Sequence, residues 1–217
     1  YITINSFRQK MVPVPYVAGR SLRQAKNMLE IAGLEIEKLV YRADIATNYV
    51  LEEFYDGKPV TQHSRMEAEM GSGVTLHVGV EQGYGTTVVP QLVGQPLAQA
   101  KSRIWELGLN VGRIDFDEGV NLLNQKDARV YIQVPGAERS AALGSRVDLR
   151  LTLDAEKLGK HRTEAEKQAA AIAAERQLEE QQEADSLARI ALGEALASAG
   201  EGASVRERND DNEGFFD

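Results

Sequence analysis

The sequence predicts an α+β fold of two tandem modules, each one short α-helix packed on a small antiparallel β-sheet, followed by an α-helical and then disordered tail. Three observations carry this expectation. First, VAGRSLRQAKNMLEIAGLEI at 17–36 returns as LVGQPLAQAKSRIWELGLNV at 92–111, and the numbering differs by 75 at Gly19 and Gly94, at Ala25 and Ala100, and at Gly33 and Gly108. Second, a strand of strict apolar alternation closes each copy, with Val74, Leu76, Val78 and Val80 in the first and Val147, Leu149, Leu151 and Leu153 in the second. Third, residues 1–154 hold 17 Lys+Arg against 18 Asp+Glu, whereas residues 155–217 hold 8 against 15, so the net charge of −8 belongs mainly to the tail.

The chain opens in mid-strand. Ile2 and Ile4 alternate with Tyr1 and Thr3, so residues 1–10 are expected to be the closing strand of a truncated upstream copy, with any signal or anchor segment further upstream. Repeat A spans 11–83, a linker at the hinge-like GYG of Gly83 to Gly85 is placed at 84–86, and repeat B spans 87–154. Ser21 caps the helix of repeat A, and Gln24 three residues on completes a capping box. In repeat B, Pro96 takes the first helical position, where its fixed φ and missing N–H are harmless.

Leu22, Ala25, Leu29 and Ala32 form one apolar stripe, matched in register by Leu97, Ala100, Ile104 and Leu107. Gly33 and Gly108 then end the helices in the left-handed conformation. Two extended segments follow in each copy, LEIEKLVY and YVLEEFY in repeat A, LNVGRIDF and RVYIQV in repeat B. A Gly-Ser turn, Gly71–Ser72 or Gly144–Ser145, leads into the closing strand. Units this small have small cores, and repetition at a fixed period predicts an extended array.

Composition narrows the function classes. Apolar runs are too short to cross a bilayer, and nothing forms the basic footprint of a nucleic-acid binder. The absence of cysteine excludes disulfides, thiolate catalysis and zinc–thiolate sites. None of His63, His77 and His161 has a second histidine at helical spacing for a metal pair. His77, in register with Arg150, is expected on a solvated strand face, and the neighbours Glu52 and Glu53 point to opposite faces of a strand. Catalysis, a cofactor and a metal centre are therefore not expected.

The repeats resemble PASTA domains, the modules attached to bacterial penicillin-binding proteins and serine/threonine kinases. The resemblance rests on Val14, Pro15, Gly19, Leu22, Ala25, Leu29, Gly33 and Leu34, and again on Val89, Pro90, Gly94, Leu97, Ala100, Ile104, Gly108 and Leu109. Repeat B also carries the family's Gln-x-Pro signature as Gln133 and Pro135, followed by Gly136. Repeat A departs from it, with Glu53 for the glutamine and Tyr55 where the proline is expected. The resemblance implies tandem PASTA-like modules in a stand-alone, non-enzymatic protein outside the cytoplasmic membrane, touching it only through an upstream helix. It also implies peptidoglycan or muropeptides as partners, recognised through stem peptides, although many copies in the family act only as spacers.

Four residues are candidates for ligand binding. Trp105, in register with Glu30, either covers the rim of the small core or offers a platform to a glycan ring or partner. Arg129 and Tyr131, on the strand that feeds Gln133, offer a charge and an aromatic face to a stem-peptide carboxylate, or else simply pair across the sheet. The tail at 155–199 is rich in helix formers but lacks a sustained heptad, so a solvated helix is expected, with Leu187 to Leu196 as a docking stripe for a protein partner. Residues 200–217 are expected to be disordered. Two functions remain open: a cell-wall ligand-binding module acting mainly through repeat B, and a structural spacer or adaptor whose tail recruits a protein.

Overall fold

The computed structural model describes residues 10–82 and 85–210. The expected strand at 1–6 and most of the GYG linker lie outside the described residues. The chain divides into two compact units, Tyr1–Ala170 and Ala171–Asp217. The first holds both repeats.

Repeat A consists of β1 (Met11–Pro13), α1 (Leu22–Ala32), β2 (Glu35–Ala43), β3 (Val50–Tyr55), β4 (Lys58–Pro59), β5 (Glu67–Glu69) and β6 (Gly73–Val80). Repeat B consists of β7 (Thr86–Val88), α2 (Leu97–Glu106), β8 (Asn110–Phe116), β9 (Arg129–Val134), β10 (Ser140–Ala142) and β11 (Arg146–Thr152). A final helix, α3, runs from Ala155 to Asp210.

The capping box on α1 forms as expected: the Gln24 amide donates to Ser21 Oγ at 3.3 Å and the Ser21 amide to Gln24 Oε1 at 3.4 Å. At the other end Gly33 sits at φ 81°, while the amides of Gly33 and Leu34 donate to the carbonyls of Glu30 and Leu29. The same pair of bonds closes α2, from Gly108 to Trp105 and from Leu109 to Ile104. Pro96 stands one residue earlier than expected. At ψ 154° it is still extended, so it precedes the helix as N-cap and makes no side-chain cap.

The sheets are mixed rather than antiparallel. Strand order is β2-β6-β3-β4 in repeat A and β8-β11-β9 in repeat B. In each, the closing strand lies in the middle, antiparallel to β3 or β9 but parallel to β2 or β8. The reason is burial. Val74, Leu76 and Val78, like Val147, Leu149 and Leu151, are fully buried beneath a helix, so the most apolar strand takes the central position between the other two. Short strands the sequence did not signal, β1 with β5 and β7 with β10, form a small ribbon in each module.

Helix α3 starts on Asp154, whose Oδ1 accepts from the amides of Glu156 and Lys157 at 2.9 and 3.1 Å. Within the second unit the helix is solvated, with Leu178, Leu187, Ile190 and Leu192 all more than half exposed. Its backbone continues past Gly200 to Asp210, where the sequence suggests disorder; Ala, Glu and Arg outnumber the two glycines there. Residues 211–217 lie outside the described residues.

Candidate functional site

The four residues singled out by sequence are all engaged by the chain itself. Gln133 is buried, its Oε1 accepting from the Leu92 amide at 2.7 Å and its Nε2 donating to the carbonyls of Pro90 and Pro135 at 2.9 and 3.3 Å. It ties the segment that enters the helix to the sheet, and it faces no solvent. Glu53 occupies the equivalent place in repeat A, where Oε2 accepts from the Val17 amide at 2.9 Å. The loss of the glutamine signature in repeat A therefore leaves the architecture in place.

Arg129 turns back on its own loop, one guanidinium nitrogen donating to the carbonyls of Lys126, Asp127 and Ala128 at 3.2, 2.9 and 3.3 Å. Tyr131 is 2% exposed, so its ring presents no free face to a ligand. The hydroxyl donates to Asp117 Oδ1 at 2.8 Å, and Lys157 of α3 lies 4.3 Å over the ring while bonding Asp117 Oδ2 at 2.5 Å. The Lys157 ammonium, with help from the Tyr131 and Thr152 hydroxyls, holds the Asp117 carboxyl below the usual range, and Asp117 raises Lys157 in turn. This cluster fastens the first turn of α3 to repeat B. Asp117→Ala is expected to raise amide hydrogen exchange of residues 155–160 severalfold while leaving β11 protected, a change that exchange mass spectrometry would read.

Trp105 takes the core-packing alternative, but in the other module. It is 4% exposed and belongs to the apolar core of repeat A, although it is carried by α2 of repeat B. An indole locked there is no contact platform. Its counterpart Glu30 is exposed, as a residue of its kind should be; the shared register misled because the two helices meet different neighbours.

Trp105 marks the seam between modules. Asn110 reaches across it, Oδ1 accepting from the Leu39 amide at 2.7 Å and Nδ2 donating to the carbonyls of Leu39 and Gly144 at 3.0 and 2.7 Å. Lys26, itself buried, donates to Ser102 Oγ at 2.7 Å, and Lys101 bonds Glu35 at 2.8 Å. Tyr41 packs against Gly108, and burial pushes its hydroxyl far above the usual range. Sequence reasoning missed this seam. The available signal was the divergence between copies: Trp105 for Glu30, Ser102 for Asn27 and Asn110 for Glu35.

Two clefts open along the seam. One, about 420 Å3, is lined by Ser21, Arg23, Thr86, Thr87, Glu106 and Leu143, with Arg23 and Glu106 forming an ion pair at 3.7 Å. The other, about 440 Å3, is lined by Glu37, Lys38, Thr75, Asn110, Arg113 and Arg146. Elsewhere, His77 bonds Glu52 at 2.8 Å on the outer face of repeat A, and that bond with Arg42 beside it lowers the Glu52 carboxyl. Glu52 and Glu53 do point to opposite faces. Among the described residues no group of three His, Asp or Glu is placed to hold a metal, and no helix is long and apolar enough to cross a membrane.

No family model matches the chain. It is 26% identical over 149 residues to a protein described as a probable serine/threonine-protein kinase of Clostridium acetobutylicum, covering 67% of this chain and 20% of that protein. A similarly described protein of Corynebacterium efficiens is 29% identical over 108 residues, at 50% and 15% coverage, and one of Clostridium perfringens is 24% identical over 143 residues, at 66% and 19%. The chain thus spans a fifth or less of the length of these curated relatives. Among solved structures it is similar to the three-PASTA-domain region of a Ser/Thr kinase from Staphylococcus aureus, at 18% identity, 67% coverage of each chain and TM-score 0.26. It is also similar to the entire extracellular region of the Ser/Thr kinase PrkC from Staphylococcus aureus, at 17% identity, 66% and 47% coverage and TM-score 0.25. The duplicated motif resembles that of PASTA repeats, and the chain is similar in sequence to bacterial proteins described as probable serine/threonine kinases.

Proposed function

We propose that the chain is a non-enzymatic binding module of the bacterial envelope, held outside the cytoplasmic membrane by an upstream anchor, that recognises peptidoglycan through its stem peptides. The observation that supports this reading is the seam. Two modules fastened by Trp105, Asn110 and Lys26 leave two clefts of peptide size between them, while each residue that sequence reasoning offered as a contact is engaged by the chain itself. Titrating the full chain with purified muropeptides and following backbone amide shifts by NMR tests it. Saturable shifts clustered along the seam are expected. A flat response at millimolar ligand, with the fold intact, removes the reading.

The spacer or adaptor reading draws on a different observation, the Asp117–Lys157–Tyr131 cluster that anchors a long acidic helix to repeat B. Under it, truncation at Leu158 abolishes capture of a protein partner, and changes along the seam leave that capture untouched.

A further inference from the structure

We infer that the cleft between Lys38, Arg113 and Arg146 binds the carboxylate end of a peptide, gripped by both modules at once. The inference rests on the peptidoglycan reading above and gives it a location and a chemistry. The chain carries a net charge of −8, yet three cations from two modules meet around this one cleft. Lys38 comes from β2 of repeat A, Arg113 from β8 and Arg146 from β11 of repeat B. Among the described residues neither Lys38 nor Arg146 has an ion-pair partner, and both are exposed. Arg113 is held in place by Asp115, Nε to Oδ2 at 2.9 Å, while its backbone amide donates to Asp148 Oδ1 at 2.7 Å.

The surrounding acids select the ligand. Glu37, whose carboxylate accepts from the Thr75 hydroxyl at 3.3 Å, is part of the lining, and Asp115 and Asp148 are both bonded to Arg113. A polyanion laid across this surface meets those three carboxylates, whereas a single carboxylate needs only the two unpaired cations, Lys38 and Arg146. Asn110, also in the lining, is engaged by Leu39 and Gly144, so it ties the two modules together beside the cations and leaves the charge contact to them. Because the cations sit on different modules, the site exists only while the seam is closed.

The test is isothermal titration of the full chain with three probes: a disaccharide tetrapeptide with free carboxylates, the same molecule with its carboxylates amidated, and a glycerol-phosphate polymer. The free acid is expected to bind at least about tenfold more tightly than the amidated form. The Lys38→Gln, Arg146→Gln double variant is expected to lose that difference, with an unchanged unfolding midpoint since both side chains are exposed. A double variant that binds the free acid as the wild type does overturns the cleft and leaves the peptidoglycan reading standing. A wild-type chain that binds neither muropeptide overturns both. Tighter binding of the polymer, lost in the double variant, overturns the peptide as the source of the anion.

Discussion

Trp105→Ala is expected to lower the unfolding free energy of the two-repeat unit by about 3–5 kcal/mol, the range for truncating a buried aromatic side chain. The side chain is almost wholly buried in the core of the neighbouring repeat, so the cavity opens at the seam rather than inside one module. The consequence goes beyond lost stability. With the seam loosened, the repeats are expected to unfold in two transitions, visible as a shoulder in urea denaturation or calorimetry. Trp105→Phe separates packing from polarity. The indole Nε1 is buried without a hydrogen-bond partner among the described residues, so phenylalanine keeps most of the contact and removes an unsatisfied donor. It should cost no more than about 1 kcal/mol. A Trp105→Ala chain as stable as the wild type, unfolding in one transition, would contradict the placement of this ring.

Glu53→Gln is expected to stabilise repeat A at alkaline pH. The duplication supplies the control, because Gln133 fills the same place in repeat B with both ends of its amide bonded. Glu53 has one oxygen bonded to the Val17 amide, while Oε1 is buried with no partner among the described residues. Burial pushes its carboxyl up to about 7 from an ordinary 4.5, against a smaller opposing pull from the Val17 amide. The sign follows from linkage. Between pH 4.5 and about 7 the folded state keeps a proton that the unfolded state releases, so stability falls with rising pH across that window and levels off above it.

Glutamine carries no ionisation, and in the register of the repeats the Pro15 carbonyl is the counterpart of Pro90, to which Gln133 donates. Glu53→Gln should therefore flatten the pH profile and add about 2 kcal/mol at pH 8, a rise of about 4–8 °C in the unfolding midpoint. Urea titrations of both chains at pH 5 and pH 8 would show it. A variant no more stable than the wild type at pH 8 would mean the folded site accommodates the ionised carboxylate.

Much of the local structure was legible because its causes are local. The capping box at Ser21 and Gln24, the left-handed stops at Gly33 and Gly108, and the alternation of Val74, Leu76 and Val78 involve residues within a few positions of one another. The candidate site was far less legible. Gln133 was expected to face a ligand and instead holds Leu92 and Pro90, because a side-chain amide able to bond on both ends looks the same in sequence whether its partners are backbone or ligand. Arg129 likewise spends its guanidinium on three carbonyls of its own loop.

The sequence by itself determined two helices of known ends, three principal strands per copy, and the duplication that makes one repeat a control for the other. Only the tertiary structure decided that β6 and β11 lie in the middle of their sheets, since period-two alternation specifies which face a side chain takes but not which strands flank it. It alone decided the destination of Trp105 and the meeting of Lys38 with Arg146 across the seam. Identical motifs in the two copies encode what each module does within itself. Contacts between copies depend on positions far apart in the chain, where repetition imposes no pattern to read.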